Sequence, residues 1–179
     1  MSRTNSAGRA HRGPSVGRCL AAAVAFALIG GIQFFRFVLT PSLPRGIYLA
    51  VAVGSVRRGD IVAFCPPEGL GRVLVARRLV TPGLCPGGSV PLAKRIFAVA
   101  PWACARPEGV IVEGRLLPWP VLPLSLDLPR FQQCGRMTAD CAFVVGDSRD
   151  SIDSRIFGCV SIASLRNRLL PVLVERSAG

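Results

Sequence analysis

The feature that most restricts the fold of this chain is an uncharged, apolar stretch, Cys19 to Phe35, that follows a basic tail. Residues 1–18 contain four arginines and the only histidine of the chain, His11, and no acidic residue. The apolar stretch continues past Arg36 to Leu39, and a helix over residues 19–39 would be about 31 Å long. That length matches the roughly 30 Å hydrocarbon core of a bilayer, with Arg36 extending to the interface. We therefore predict a transmembrane anchor over residues 19–39.

The charge of the flanks predicts the orientation of this anchor. Because basic flanks are retained in the cytoplasm, we predict that residues 1–18 form a cytoplasmic tail and that residues 40–179 form an extracytoplasmic domain. A cleaved signal peptide is the alternative, but it requires small residues at the end of the apolar run. Gln33-Phe34-Phe35 is bulky at this point, so we expect the segment to be retained.

Six of the seven cysteines follow the predicted anchor, and an even set of exported thiols is typical of disulfides. They are Cys65, Cys85, Cys104, Cys134, Cys141 and Cys159. Six cysteines allow fifteen pairings, and the short spacing between Cys134 and Cys141 permits a local loop between them. A zinc site is the alternative, but no C-x-x-C pair and no downstream histidine support it. The sequence favours disulfides or buried thiols.

Downstream of the anchor, short β-rich runs alternate with turns rich in glycine and proline. The predicted strands are Ile47–Val53, Asp60–Phe64, Val73–Val80, Leu92–Val99, Val110–Val112, Leu116–Trp119, Ala142–Val145 and Ile156–Ile162. The segment from Gly54 to Gly59 predicts a hairpin between the first two strands, and Glu113-Gly114 predicts a tighter one. Ser161–Leu170 has weak helical spacing that Pro171 ends. The predicted fold class is mostly β, a single antiparallel-sheet domain tethered by one N-terminal transmembrane helix.

The formal net charge of +12 predicts an anionic partner. Arginine pairs at 57–58 and 77–78 could contact lipid phosphates or DNA. Aromatic residues do not interleave with these pairs, as they would in a protein that binds single-stranded nucleic acid. We therefore expect an anionic lipid bilayer as a partner and no nucleic acid. The alternative outside the enzymes is a basic, membrane-tethered scaffold or nucleic-acid-binding component of a secretion apparatus.

Lys94 is the only lysine of the chain, and the other twenty-one cationic side chains are arginines. A desolvated lysine can lose its proton and act as a base, whereas arginine keeps its charge. In a strand, Lys94 shares an apolar face with Leu92, Ile96 and Ala98. The pattern makes Lys94 the candidate general base, with a snorkelling edge cation as the alternative.

Two further segments carry groups suited to catalysis. In Pro41-Ser42-Leu43-Pro44, two prolines restrict the backbone around a serine, which needs a base to become a nucleophile. A plain turn is the alternative there. Residues 147–155 contain three acids, two arginines and three serines. Such density is typical of a hydrogen-bond network that holds a catalytic group, or of an ordinary polar loop.

The order of these segments resembles that of the type I signal peptidases, which are membrane-anchored serine peptidases with a Ser/Lys dyad. Five boxes carry the resemblance, which spans about residues 15–160: Ser42-Leu43-Pro44 (S-M-x-P, with one residue fewer before the proline), Arg58–Val62 (R-G-D), Lys94-Arg95-Ile96 (K-R), Val110–Gly114 (V-x-V-N-G, with Glu for Asn) and Gly146–Arg155 (G-D-N-R-x-x-S-x-D-S-R, with one residue missing). Within the family, Ser42–Tyr48 is most similar to the S-x-P-x-G-x-Y of conjugative-transfer peptidases of the TraF type.

The resemblance implies a role for each matching residue and requires no metal or cofactor. The implied roles are nucleophile for Ser42, general base for Lys94, oxyanion donor for Thr40 and the Ser42 N–H, orientation of the lysine amine for Ser151, and a supporting ion pair for Asp153 and Arg155, with Asp147 in the same box.

The resemblance also implies a location and a substrate. The chain would be a single-pass protein of the bacterial inner membrane, with a cytoplasmic N-terminus and a periplasmic catalytic domain that cleaves exported precursors. TraF-type relatives process pilin precursors and can join pilin ends into a ring. A conjugative pilin precursor is therefore the predicted substrate, in a cleavage that can end in cyclisation, and a general leader peptidase is the alternative.

Overall fold

The computed structural model describes residues 34–122, 128 and 130–175, and Phe35–Gly179 form one compact unit. The strands are β1 Phe35–Val38, β2 Gly46–Val51, β3 Ile61–Phe64, β4 Leu92–Val99, β5 Trp102–Arg106, β6 Gly109–Val112, β7 Arg115–Pro118, β8 Cys134–Arg136, β9 Cys141–Val145, β10 Val160–Ser161 and β11 Leu165–Val174. The helices are α1 Glu68–Ala76 and α2 Ser154–Phe157, and a 3-10 turn covers Ile162–Ser164. The prediction of a mostly-β domain is confirmed.

The strands form two antiparallel sheets rather than one. The larger sheet has the order β1-β2-β11-β3-β4-β9-β10, and the smaller has the order β7-β6-β5-β8. The predicted hairpin from Gly54 to Gly59 is wrong, because β11 lies between β2 and β3 and pairs with both. The chain thus returns at its end to complete the centre of the larger sheet.

The second predicted hairpin is confirmed. Strands β6 and β7 pair antiparallel around Glu113 and Gly114, with Val112 opposite Arg115. Both turn residues have a positive φ, 49° and 77°. Two successive positive values define the turn type whose twist matches that of the strands, and Gly114 adopts its value without strain.

Three local predictions are wrong, each in a segment whose apolar spacing fits more than one structure. The first half of the segment predicted as a strand over Val73–Val80 lies in α1, where Leu74 is buried and Val73 is exposed, and the second half forms turns. The predicted helix Ser161–Leu170 is mostly β11, because positions four apart share a face in a strand as well as in a helix. The predicted strand Ile156–Ile162 divides into the end of α2 and the two-residue strand β10.

The predicted anchor over residues 19–39 is wrong at its C-terminal end. Phe35–Val38 form β1, which pairs with β2 in the register Phe35 to Leu49. Aromatic and β-branched residues fit a strand here, and Arg36 lies within it rather than at the end of a helix. Residues 19–33 lie outside the described residues. Among those that are described, no helix has the length and apolar character needed to span a bilayer.

The six downstream cysteines form three disulfides, which excludes them as zinc ligands here. The pairs are Cys65–Cys85, Cys104–Cys134 and Cys141–Cys159. The local pairing of Cys134 with Cys141 is therefore wrong. Cys104 and Cys134 lie directly opposite each other on β5 and β8, so sheet register sets this pairing rather than sequence distance.

Candidate active site

Ser42 lies in the turn between β1 and β2, and its neighbours fix that turn. Leu43 is only 2% exposed and packs in the core cluster that also contains Val38 and Tyr48. The Tyr48 hydroxyl donates a hydrogen bond of 2.7 Å to the Pro44 carbonyl oxygen. The Ser42 side chain is left partly exposed between these anchored residues.

A second contact joins this turn to the segment after β9. The Asp147 N–H donates a 2.7 Å hydrogen bond to the Ser42 carbonyl oxygen. Gly146 lies directly beside the same carbonyl, since a Cβ added to Gly146 would be 3.2 Å from that oxygen and would overlap the Ser151 side chain. Only glycine therefore fits between Ser42 and Ser151.

Lys94 lies in the middle of β4, opposite Val62 of β3. It is 5% exposed, and Ile96 on the same face is fully buried. Burial lowers the pKa of Lys94 to about 8, although the nearby Asp153 carboxylate opposes that change. Desolvation favours the neutral amine because the ammonium loses its hydration. Of the apolar face predicted for Lys94, Leu92 and Ile96 pack in one core cluster, whereas Ala98 follows an irregularity in the pairing of β4 with β9 and packs in another.

Ser42 and Lys94 both line one cavity of about 880 Å³, and Thr40 lines it as well. The remaining walls are mostly apolar side chains of β1, α1 and the segment leading into β4, including Leu74 and Leu79. An apolar cleft with a few polar groups is the usual form of a site that binds an extended or small organic substrate.

Asp153 and Arg155 form a buried ion pair. The Arg155 Nη2 lies 2.7 Å from Asp153 Oδ2, and the Arg155 Nε lies 2.9 Å from Asp153 Oδ1. Asp153 also accepts the backbone N–H of Gly146 at 3.0 Å, and Arg155 donates to the Pro118 carbonyl oxygen at 2.9 Å. The network joins the residues after β9 to α2 and to the end of β7.

We expect Asp153→Ala to lower the free energy of unfolding by about 3–5 kcal/mol, because it leaves the Arg155 guanidinium buried and unpaired. Thermal or denaturant unfolding of the purified chain measures this loss. Glu68→Gln is the matched control, since it breaks an exposed ion pair with Arg72 and should cost at most about 0.5 kcal/mol. Equal losses in both variants would contradict the structural role given to Asp153.

Ser151 is 2% exposed, and its hydroxyl has no hydrogen-bond partner among the described residues. A buried hydroxyl is normally paired. The Lys94 amine is buried in the same region, since its pKa responds to the charges of Asp153 and Asp150 on either side of Ser151. The Ser151 hydroxyl is therefore available to form a hydrogen bond with a nearby amine.

Asp147 faces away from the cavity. Its carboxylate accepts two hydrogen bonds from Arg95, from Nη2 at 3.1 Å and from Nε at 3.3 Å. Arg95 follows Lys94 in β4 and points to the opposite side, as strand alternation predicts. The pair holds the backbone of Asp147, and so its contact with Ser42, from the outer side of the sheet.

Sequence reasoning missed Arg78 and Asp150 as residues that line the cavity. Arg78 follows α1 with a positive φ of 56°, and α1 was predicted as a strand. Asp150 was visible in the polar segment but had no distinguishing neighbour. The contact of Gly146 with Ser151 was also missed, although a glycine at the start of a dense polar segment is a signal of close packing.

These features agree with the family to which the sequence can be assigned. The profile described as signal peptidase, peptidase S26, matches residues 15–173. The chain belongs to this signal peptidase family.

The chain is also similar to individual proteins of known name. The chain is 33% identical over 136 residues to a probable conjugal transfer protein TraF of Sinorhizobium fredii, an alignment that covers 73% of this chain and 72% of the relative. It is 31% identical over 147 residues to a plasmid transfer protein TraF of Escherichia coli, covering 77% and 82%. A crystal structure of a signal peptidase I from Enterococcus faecalis aligns at 21% identity with a TM-score of 0.38, covering 65% of this chain and 98% of that one.

Proposed function

We propose that this chain is a serine endopeptidase in which Ser42 is the nucleophile and neutral Lys94 is the general base. The observation that carries the proposal is that the only lysine of the chain is buried, has a pKa lowered to about 8, and lines the same cavity as Ser42. A lysine with such a pKa is partly neutral near pH 7, which its role as a base requires.

The proposed chemistry proceeds in two steps. The Ser42 Oγ attacks the scissile carbonyl carbon, and the Lys94 Nζ accepts the hydroxyl proton. Lys94 then gives this proton to the leaving amine as the peptide bond breaks, which leaves an acyl-enzyme on Ser42. Water releases the acyl group as a carboxylic acid, or the amino terminus of the same substrate releases it as a cyclic amide.

The other predicted residues have supporting roles in this proposal. The Thr40 hydroxyl and the Ser42 N–H donate to the oxyanion of the tetrahedral intermediate, where losing one donor typically costs about 3 kcal/mol in transition-state stabilisation. The Ser151 hydroxyl orients the Lys94 amine. The Asp153–Arg155 pair holds the segment that carries Ser151, and Asp147 holds the Ser42 turn through its backbone N–H.

The proposed substrate is the precursor of a conjugative pilin. The support is similarity to proteins named for conjugal and plasmid transfer, at 33% and 31% identity. We further propose that residues before β1 tether the domain to the bacterial inner membrane, with the cavity on the periplasmic side. The apolar stretch that begins at Cys19 and the basic tail before it support this orientation.

Mass spectrometry of a co-expressed pilin precursor tests the proposal. We expect a trimmed product with the full-length chain, and no trimming without it. A trimmed chain that lacks one further water indicates cyclisation, whereas a trimmed linear chain indicates hydrolysis. Cleavage of an unrelated leader-bearing precursor, with the pilin left intact, would instead favour a general leader peptidase. An unprocessed pilin and an unprocessed leader would contradict a peptidase function.

The pH dependence of cleavage follows from the buried amine. Because only the neutral form of Lys94 accepts a proton, kcat/KM should rise with pH and level off above a pKa of about 8. Initial rates with a quenched fluorescent peptide between pH 6 and 10, a range chosen to span that value by about two units, measure the profile. A rate that falls over this range would contradict a lysine base.

A further inference from the structure

A second cavity of about 310 Å³ lies on the other side of Asp147 from Ser42. Three arginines line it, Arg58, Arg95 and Arg115, together with the aromatic ring of Phe97. They come from the loop before β3, from β4 and from the start of β7. Three cationic side chains distant in sequence therefore converge on one concave surface.

Two of these arginines are held on the same aromatic ring. The guanidinium carbon of Arg58 lies 5.1 Å from the centre of the Phe97 ring, and that of Arg115 lies 5.8 Å from it. Cation–π contact orients a guanidinium while leaving its N–H donors available. Phe97 thus orients two guanidinium groups that line the cavity.

The charges in this cavity do not balance. Asp147 is the acid that lines it, and Arg95 already holds both of its carboxylate oxygens. Among the described residues, neither Arg58 nor Arg115 forms an ion pair with an acid. A bound anion would supply the counter-charge that both guanidinium groups lack.

We propose that Arg58 and Arg115 form a binding site for a phosphate group, beside the ion pair of Arg95 with Asp147. Guanidinium forks match the oxygens of phosphate in paired hydrogen bonds. A tetrahedral phosphate presents oxygens in several directions and can meet donors from both arginines, whereas a planar carboxylate has only two oxygens. The phosphate is carried by a phospholipid headgroup or is free inorganic phosphate.

The site deepens the proposed membrane association, because a headgroup bound here would hold the domain against the lipid surface. It does not depend on catalysis. The backbone N–H of Asp147 donates to the Ser42 carbonyl oxygen, whereas its carboxylate accepts hydrogen bonds from Arg95. Asp147 therefore lies between the arginine cavity and the turn that carries Ser42. Failure of phosphate binding and failure of peptide cleavage are separate results, since a binding measurement requires no cleavage.

Titration calorimetry of the full chain in a zwitterionic detergent, with inorganic phosphate at constant ionic strength, measures the affinity. We expect Arg58→Gln combined with Arg115→Gln to weaken phosphate binding about tenfold or more. Arg57→Gln combined with Arg166→Gln is the matched control, because it removes the same charge from exposed positions outside the cavity. Equal weakening in both double variants, or no effect of Arg58 and Arg115, would overturn the proposal.

Reconstitution distinguishes the two sources of phosphate. The full chain is placed in phosphatidylcholine bilayers with and without phosphatidic acid, and inorganic phosphate binding is measured again. If phosphatidic acid competes with inorganic phosphate in the control variant, the headgroup is the ligand. If it does not compete while inorganic phosphate still requires Arg58 and Arg115, free phosphate is the ligand. Absence of phosphate binding in both detergent and bilayers would overturn the site.

Discussion

Ser42→Ala should lower kcat for precursor cleavage by a factor of about 10⁴ or more, because no nucleophile remains to form the acyl-enzyme. The Ser42 hydroxyl lines the cavity and makes no hydrogen bond within the described residues. Its removal should therefore change the free energy of unfolding by no more than about 0.5 kcal/mol. Single-turnover cleavage of a pilin precursor, followed by mass spectrometry, measures the loss of rate.

Ser55→Ala is the matched control, because Ser55 is an exposed serine in the loop between β2 and β3. This control should cleave at the rate of the unchanged chain. A Ser42→Ala chain that folds, binds precursor and still cleaves at a similar rate would reject Ser42 as the nucleophile. If Ser42→Ala lost cleavage because it failed to fold, the measured free energy of unfolding would show it.

Lys94→Arg should abolish cleavage nearly as completely, with a loss at the upper end of what a general base contributes, about 10⁴-fold. Arginine keeps the positive charge at this position but cannot release its proton near neutral pH. Raising the pH to 10 should not restore activity in this variant. The same single-turnover assay across pH measures the effect, and it separates the loss of a base from the loss of a cation.

Lys94→Met separates catalysis from folding. Methionine has a similar unbranched length and suits the apolar surroundings of Ile96, so this variant should fold at least as stably as the unchanged chain. We expect this stability because burial disfavours the ammonium form of Lys94 and lowers its pKa, and methionine carries no charge. Cleavage should still be lost. Substantial cleavage by either Lys94 variant would reject lysine as the base.

The features that could be identified from the sequence are those with an unusual residue type or a short local pattern. A lone lysine within an apolar strand pattern was visible, and the structure places it buried in β4 as that pattern predicts. The Glu113-Gly114 hairpin was visible because a two-residue turn has a local signature. In both cases the sequence signal lies within a few residues, although the burial of Lys94 also requires the pairing of β4 with β3.

What could not be predicted depends on partners distant in sequence. Strand β11 adopts its conformation because β2 and β3 flank it, and nothing near Leu165–Val174 signals those neighbours. The Cys104–Cys134 pair likewise follows from the register of β5 against β8. The apolar continuation through Phe35–Val38 fits a membrane helix by composition, and pairing with β2 is what makes it a strand.

Asp147 and Arg95 illustrate the same limit within the site. The resemblance assigned Asp147 to a catalytic box, but only the fold shows that its carboxylate contacts Arg95 while its N–H contacts Ser42. Which groups a polar side chain contacts depends on how the neighbouring strands pack. The phosphate site proposed at Arg58 and Arg115 arises on that outer side for the same reason.

The most direct measurement is an NMR titration of the lysine side chain. Because Lys94 is the only lysine, growth on lysine labelled with ¹³C at Cε gives a single side-chain signal for the full chain in detergent micelles. Because the Lys94 amine is buried, we expect its titration midpoint at a pKa of about 8. A midpoint at about 10.4, the pKa of a solvated lysine, would show an ammonium that stays charged at neutral pH and would contradict Lys94 as the base.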